Sequence, residues 1–255
     1  MTAIVDIETP YIPDDGDVYS IDKIFCIGVK VDDEPTKLFT YLYHPLSSGN
    51  LKAALRLINS CSTAVFHNGI QFDIPVITKL LGPITAQVHD TLLLTKMMYT
   101  SDQLFAMDPG IPTMPKSLYG SYSLAAFGHR LGLYKGEFED FSKLSTQMLE
   151  YLAQDVAVTH KLYTHLIKQH NFPSSTTIDL ENKVATHIFQ QERNGFYFDI
   201  NKARALNTKL LFERGSIERK LQQTFKPMFL PDGPVKEASY TRKLYIPDKT
   251  YIPKW

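Results

Sequence analysis

The stretch TAIVDIE, Thr2 to Glu8, is an apolar, β-branched run that two carboxylates interrupt. This composition predicts a buried strand. Residues two apart in a strand point to the same face, so Asp6 and Glu8 project together while Val5 and Ile7 point the other way. Burying two like charges raises the pKa of a carboxyl group unless a cation lies between them. The pair therefore carries a cost of burial that a bound cation would remove.

The pattern of two acids one residue apart is a weak signal by itself. Asp15 and Asp17 repeat it in a turn, where water solvates both charges. The apolar context distinguishes Asp6 and Glu8 from that pair.

The runs that follow predict an α/β fold. KIFCIGVKV (residues 23–31) and TKLFTYLYH (residues 36–44) are β-branched and aromatic, and turns separate them. With the first strand they predict an antiparallel three-strand meander. NLKAALRLINS has helical spacing, TAVFHNG predicts a short strand, and FDIPVITKLLG predicts a helix ending at Gly82. This alternation predicts a mixed sheet of antiparallel and parallel strands flanked by helices.

The second half of the chain predicts helices. Three prolines and Gly110 between Ser101 and Lys116 predict a loop. A long helix is expected over residues 145–169, and the next helix should end at Gly195 in the left-handed conformation. Asp199 is expected to cap a further helix. The last 30 residues contain five prolines and six basic residues, which predicts a tail without secondary structure.

The composition is that of an ordinary globular protein, with 255 residues, 44% of them hydrophobic, and a formal net charge of zero. The residues before Pro173 carry 13 Lys or Arg against 18 Asp or Glu, and the rest carry 14 against 9. This asymmetry is typical of a basic arm that meets nucleic acid or an acidic partner, or of a solvated basic helix. Two cysteines in apolar runs lack zinc-ligand spacing. Without a signal peptide or a long apolar run, we expect a cytoplasmic protein and no membrane partner.

Two later stretches add carboxylates. In VFHNGIQFDIPVI a strand ends at a turn and Asp73 opens a helix, where the simplest interpretation is a helix-capping aspartate. In YLAQDVAVTHKL, Tyr151 and Asp155 are four residues apart and share one helix face, next to the stripe that should pack on the sheet. A buried aspartate there needs a partner.

Four converging carboxylates, Asp6, Glu8, Asp73 and Asp155, would carry a charge of about −4, which two divalent ions neutralise. Oxygen ligands favour Mg²⁺ or Mn²⁺ over Zn²⁺. Two ions about 4 Å apart are the arrangement used for phosphodiester cleavage. The sequence therefore predicts a two-metal phosphodiesterase with a tyrosine nearby.

VDIET, HNGIQFD and YLAQD resemble, in that order, the three motifs of the DEDD superfamily of 3′-to-5′ exonucleases, which have a ribonuclease H-like fold. The likeness is to the tyrosine subclass, since Glu150 stands where the other subclass has histidine. In particular, the chain resembles the proofreading domain of family A DNA polymerases of short-tailed bacteriophages. VFHNG, HDTLLL, GSYSLAAFGHRLG and KGEFEDF extend the likeness over residues 3 to 172.

The resemblance implies roles for individual residues. Asp6, Glu8 and Asp155 would bind the first metal ion, which Asp6 shares with the second, and Asp73 would hold the second ion. Tyr151 would orient the attacking water, and Glu8 would help to place or deprotonate it. The substrate, a single-stranded or mispaired DNA 3′ end, would contact Asn68 and Phe72 of the second motif and Ile12, which lies downstream of the first motif.

The likeness extends past the exonuclease motifs, because ENKVATHIFQQERNGFYFDINKA resembles the start of the polymerase module in the same family. The polymerase carboxylate patterns do not occur. We therefore predict an exonuclease domain over residues 1–172, a helical start of the polymerase module over 173–225 and a basic Pro/Tyr-rich tail over 226–255. The polymerase active site is expected on a separate or missing chain, with the activity located in the host cytoplasm.

Two other functions stay open at this point. The chain is alternatively an assembly subunit that docks onto a separate polymerase chain, as the charge asymmetry and the C-terminal helices suggest. It is alternatively an RNA exonuclease of the ribonuclease D type, which uses the same set of carboxylates and tyrosine.

Overall fold

The computed structural model describes residues 1–11, 17–134, 138 and 140–225. The chain divides into two compact units, Met1–Gly195 and Phe196–Trp255. The strands in the described residues are β1 Thr2–Glu8, β2 Cys26–Val31, β3 Lys37–Thr40, β4 Gly49–Asn50, β5 Thr63–Phe66 and β6 Gln87–Asp90. The α-helices are α1 Leu51–Asn59, α2 Asp73–Leu80, α3 Thr91–Met98, α4 Ser101–Met107, α5 Leu124–Leu131, α6 Thr146–Leu166, α7 Ser175–Asn194 and α8 Ile200–Thr224. Short 3₁₀ helices lie at Val18–Ser20, Asp108–Gly110 and Lys116–Leu118.

The six described strands form one mixed sheet in the order β4-β3-β2-β1-β5-β6. Strands β1, β2 and β3 pair antiparallel, which confirms the predicted meander. Strand β5 pairs parallel with β1, and β6 pairs parallel with β5. Strand β1 therefore lies in the interior of the sheet, and the predicted ribonuclease H-like fold class is confirmed.

Strand β1 separates two hydrophobic clusters because its side chains alternate between the faces of the sheet. Val5 and Ile7 lie in the cluster that includes residues of α1 and α2. Ile4 lies in the other cluster, with residues of α3, α5 and α6. Asp6 and Glu8 follow Ile4 at steps of two, so the strand directs both carboxylates towards the α6 side of the sheet.

Two boundaries differ from the sequence predictions. Strand β3 ends at Thr40, where the hydroxyl group donates to the carbonyl of Leu42 and lies 2.8 Å from the Ser47 hydroxyl, so the chain turns. The predicted loop over residues 101–116 was wrong in its first part, which forms α4. A capping box of Thr100 and Gln103 starts that helix, and the prolines that indicated a loop begin after its end.

Helices α7 and α8 have the predicted ends. Gly195 follows α7 with a φ of 61°, as expected of a residue without a Cβ atom, but its ψ of −161° lies outside the left-handed helical region. The Asp199 carboxylate accepts a hydrogen bond from the backbone N–H of Lys202 and so caps α8. No helix in the described part of the chain is long and apolar enough to cross a membrane. The predicted tail, 226–255, lies outside the described residues.

The first compact unit includes α7, whereas the sequence analysis placed the end of the exonuclease domain at residue 172. Compactness and a boundary between functional domains are different properties. The boundary after residue 172 therefore stays a prediction.

Helix α6 approaches the β1–β2 pair closely at Gly28, the residue of β2 that pairs with Asp6. A Cβ atom at Gly28 would lie 2.8 Å from Cγ2 of Val156 and 3.1 Å from Cγ of Leu152. Both side chains are fully buried. The absence of a side chain at Gly28 lets α6 lie against the strand that carries the first two carboxylates.

We expect Gly28→Ala to destabilise the protein by about 1–3 kcal/mol, because an added methyl group overpacks this contact. Urea unfolding at equilibrium measures the loss. A second substitution, Val156→Ala, removes the Cγ2 atom that the new methyl group would meet. The double variant should lose less than the sum of the two single losses. Additive losses would show that the contact between α6 and β2 does not limit the residue at position 28.

Candidate metal and nuclease site

Three of the predicted carboxylates come together beside α6. Asp6, Glu8 and Asp155 each offer an oxygen atom, and the three oxygens lie within 4.8 Å of one another. Glu8 is 7% and Asp155 is 3% exposed, and Asp6 is half-buried. Two residues of β1 and one residue of α6 thus converge where the helix packs on the sheet beside Gly28.

Helix α6 presents Tyr151 and Asp155 one turn apart. Leu152, Val156 and Thr159 on the adjoining face are buried, which fixes the rotation of the helix. The ring of Tyr151 packs against two phenylalanines that the sequence reasoning did not assign. Its centroid lies 5.6 Å from that of Phe138 and 6.3 Å from that of Phe141. The position of the KGEFEDF stretch within the resemblance was the only sequence signal for these rings.

Asp73 occupies the first turn of α2 and is 4% exposed. The cap position belongs to Phe72, whose side chain makes no capping hydrogen bond, so the capping interpretation of Asp73 was wrong. Asp73 lies outside the group of three carboxylates that share the 4.8 Å distance. Its Oδ1 atom accepts no hydrogen bond from the described residues. A buried carboxylate oxygen without a donor is costly, and a cation would satisfy it.

Burial raises the pKa of Asp73 from its usual value of 3.8 to about 7, and the charge of Asp90 adds to the rise. The backbone N–H groups of Asp73 itself and of Ile7 partly oppose this rise. Because the N–H group of Ile7 contributes, the carboxyl group of Asp73 lies beside β1. Ile7 is the residue between Asp6 and Glu8 in that strand.

The loop between β5 and α2 is held by Asp90, the last residue of β6. The Asp90 carboxylate accepts hydrogen bonds from the backbone N–H groups of Asn68, Ile70 and Leu92, at 3.0, 3.1 and 2.9 Å. It is 2% exposed, and burial raises its pKa despite these donors. Asp90 therefore supports the loop that leads to Asp73.

The loop itself is tightly constrained. Asn68 adopts a φ of 64°, in the left-handed region that asparagine tolerates better than most residues. A Cβ atom at Gly69 would lie 2.3 Å from Cβ of Phe66, so only glycine fits there. This geometry lets the chain turn from the end of β5 to the start of α2 at Asp73.

A cavity of about 260 Å³ adjoins the carboxylate residue Glu8. It is lined by Glu8, Thr9, Pro10, Tyr11, Phe72 and Phe141. Phe72 thus lies where the sequence analysis expects a substrate contact, and Tyr11 and Phe141 add two aromatic residues that it missed. Asn68 is not among the lining residues. Ile12 lies outside the described residues.

The site suits a divalent cation of the hard type. Its donor atoms are carboxylate oxygens, which Mg²⁺ and Mn²⁺ prefer. The close approach of Asp6, Glu8 and Asp155 places like charges together, and the buried Oδ1 atom of Asp73 lacks a donor. Both features are those of a site that a cation completes.

The chain is similar to proteins of known sequence and, more distantly, to solved structures. No protein-family model matches the chain. Among solved structures, NrnC of Brucella melitensis with bound Mg²⁺ has a TM-score of 0.44 and 18% identity over 74% of this chain and 80% of that one. Exonuclease X in complex with 5′-overhanging duplex DNA has a TM-score of 0.42 and 15% identity over 71% of this chain and 99% of that one.

Two curated relatives are DNA-directed DNA polymerases of bacteriophages. The polymerase of Escherichia phage T7 is 30% identical over an alignment that covers 84% of this chain and 36% of the relative. The polymerase of Enterobacteria phage T3 is 29% identical over an alignment that covers 75% of this chain and 34% of the relative. The chain thus spans about a third of the length of these relatives.

The raised pKa of Asp73 predicts a pH dependence of stability in the metal-free protein. Between about pH 4 and pH 7 the native state holds a proton on Asp73 that the unfolded state has lost. The free energy of unfolding therefore falls as the pH rises through this window, and the whole loss is present above pH 7. Asp73→Asn should remove this loss. The variant should be more stable than the parent at pH 8, and the difference should shrink towards pH 4.5.

Urea unfolding in the presence of EDTA at both pH values measures the effect. Asp22→Asn, which changes an exposed aspartate, is the matched control and should follow the parent. An Asp73→Asn variant with the same pH dependence as the parent would show that Asp73 titrates normally.

Proposed function

We propose that the chain contains a domain of the DEDD 3′-to-5′ exonuclease type and that it hydrolyses the terminal phosphodiester bond at the 3′ end of DNA with two divalent ions. The observation that carries the proposal is the convergence of Asp6, Glu8 and Asp155, with ligand oxygens within 4.8 Å. The aromatic cavity beside Glu8 supports it, because nucleobases stack on such rings. The two phage polymerases in the comparison support DNA as the substrate.

The carboxylates would divide between the two ions, Mg²⁺ or Mn²⁺. Asp6, Glu8 and Asp155 would hold one, and Asp6 and Asp73 would hold the other. Divalent ions bound there would stabilise the negative charge that develops on the phosphate and would lower the pKa of a bound water molecule. Glu8 would accept the proton of the attacking water, and the Tyr151 hydroxyl would orient that water. Phe138 and Phe141 hold the Tyr151 ring in place for this role.

The substrate would enter through the cavity lined by Phe72, Tyr11 and Phe141. A base that is not paired can stack on these rings, whereas a base held in a duplex cannot reach them. This preference for frayed ends is the physical basis of proofreading. We therefore assign the chain to the removal of mispaired 3′ ends during phage DNA replication in the bacterial cytoplasm, with Asn68 and Ile12 as further substrate contacts.

We expect Asp6→Asn and Asp155→Asn each to lower kcat by at least about 10²-fold on an end-labelled DNA strand, because each removes charge from the metal site. Activity of the parent should require Mg²⁺ or Mn²⁺ and stop with EDTA. Glu150→Gln is the matched control, because Glu150 is an exposed acid on the same helix. It should retain parental activity. Parental rates in Asp6→Asn and Asp155→Asn would exclude the carboxylates from the chemistry.

The same assay separates DNA from RNA substrates. With matched DNA and RNA oligonucleotides, the proposal expects faster degradation of the DNA. A higher rate on RNA would favour the ribonuclease D type of activity instead.

A second candidate function, compatible with the first, is docking onto a separate polymerase chain. Helix α8 has 25 residues and none of them is buried. Leu206, Leu210, Ile217 and Leu221 recur at helical spacing and are 57, 52, 57 and 50% exposed. Such a stripe is typical of a helix that packs against another polypeptide. The polymerase relatives, about three times as long as the matched region, suggest that the partner is the polymerase module.

Co-purification with the polymerase polypeptide encoded in the same genome tests this docking. We expect the double substitution Leu206→Asp and Leu210→Asp to abolish co-purification, because it places charge in the apolar stripe. Phe212→Asp is the matched control, since Phe212 is 73% exposed on the opposite side of α8. Equal retention by the stripe variant and the control would exclude the stripe as the docking surface.

A further inference from the structure

A basic groove lies along α6, away from the carboxylates. It is a cavity of about 540 Å³ between α6, the end of α5 and β2. We define the basic groove by its five basic residues, Lys30, His160, Lys161, His165 and Lys168. Among the described residues that line it, none is acidic.

Three basic residues of the groove lie at the C-terminal end of α6 and just beyond it. Lys161 and His165 are four residues apart, which places them on the same face of α6 about one turn apart, and Lys168 lies in the turn that follows the helix. Lys161 and Lys168 are exposed. In the described part of the chain, neither has an acidic side chain recorded within ion-pair distance. Lys30 reaches the groove from β2, where its Nζ atom donates to the carbonyl of Glu34.

The charges in the groove are incompletely neutralised. Burial lowers the pKa of His160, and the charge of Lys30 lowers it further. The opposing charge is that of Asp33, whose carboxylate lies 3.5 Å from Nε2 of His160 but is wholly exposed to water. A cationic ligand would be repelled by this surface, whereas an anionic ligand would relieve the repulsion between its lysines.

The groove also offers apolar and aromatic surface. Leu131 and Leu133 line it beside the histidine rings. Histidine rings and apolar side chains can contact nucleobases, and lysines can neutralise phosphates. A volume of about 540 Å³ is that of a small-ligand pocket, which suits a few nucleotides of one strand better than a duplex.

We propose that the basic groove binds the phosphate backbone of the single DNA strand whose 3′ end is hydrolysed at the carboxylates. This proposal rests on the proposed function, and it adds a second point of contact on the same substrate. At a rise of 1.5 Å per residue, Lys161 lies about 9 Å from Asp155 along the helix axis, and the end of α6 at Leu166, two residues before Lys168, lies about 16 Å from it. The groove therefore contacts nucleotides several positions from the cleaved bond and contributes affinity, not chemistry.

The spacing makes a substrate of minimal length a sharp test. At about 3.4 Å per nucleotide, the spacing along one strand of a duplex, 16 Å corresponds to about five nucleotides. A dinucleotide held at the carboxylates cannot reach Lys168, whereas a 20-nucleotide strand can. Loss of the groove should therefore affect the long substrate alone.

The experiment compares the full chain with the double variant Lys161→Gln and Lys168→Gln. Fluorescence anisotropy of a labelled 20-nucleotide oligothymidylate in EDTA gives Kd at several salt concentrations. Each phosphate contact contributes about 0.7 to the slope of log K against log salt for a single strand. The variant should lose about 1.4 from this slope and bind about 25-fold more weakly at 0.1 M salt.

Exonuclease kinetics in Mg²⁺ give the second measurement. For the 20-nucleotide strand, KM should rise by a similar factor while kcat stays unchanged. For a dinucleotide, both constants should match the parent. The matched control is Lys52→Gln with Lys183→Gln, two exposed lysines outside the groove, which should behave as the parent does.

A loss of affinity no larger than that of the control would overturn the proposal, as would an equal loss on the dinucleotide. If the parent hydrolyses no DNA, the proposed function fails, while the anisotropy measurement still decides whether the groove binds a strand. Should the double variant fail to fold, as judged by circular dichroism, Lys168→Gln alone replaces it, with an expected fivefold weaker Kd at 0.1 M salt.

Discussion

The contact between α6 and the β1–β2 pair is the constraint on which the candidate site depends. Gly28 pairs with Asp6 in the sheet, and a Cβ atom there would collide with Val156 of α6. Only one residue separates Asp6 from Glu8, and Val156 follows Asp155 directly. The packing that seats the helix therefore also brings the third carboxylate to the first two. Any change in that packing moves the ligands relative to one another.

Bringing several carboxylates together in a buried site raises the free energy of the metal-free protein. The three clustered carboxylates repel one another, and Asp73 is buried with an oxygen that lacks a donor. The Asp90 carboxylate, in contrast, accepts hydrogen bonds from three backbone N–H groups and so holds the loop that leads to Asp73. Asp90 thus supports the fold, while the Oδ1 atom of Asp73 accepts no hydrogen bond from the described residues and is available to a cation. The metal-free protein is expected to be less stable than its metal-bound form for this reason.

Sequence reasoning reached the central parts of this structure because they follow from short-range periodicity. The alternation in β1 predicted the shared face of Asp6 and Glu8, and the four-residue spacing in α6 predicted that of Tyr151 and Asp155. The aromatic residues that pack near Tyr151 and the supporting role of Asp90 could not be predicted from spacing, because they depend on contacts between segments far apart in sequence. Helix α4 was missed because the prolines that follow it outweighed its capping box.

Helix α6 carries residues of both the carboxylate site and the basic groove. Its N-terminal half carries Tyr151 and Asp155, which sit among carboxylates and aromatic rings. Its C-terminal half carries Lys161, and Lys168 lies in the turn after Leu166; both line a groove without acidic lining among the described residues. Negative charge is concentrated where cations are needed, and positive charge where a phosphate backbone would lie. Because α6 is buried along one stripe, the distance between these two regions is fixed. A strand bound to both would therefore have its terminal phosphodiester bond held at a fixed position beside the carboxylates.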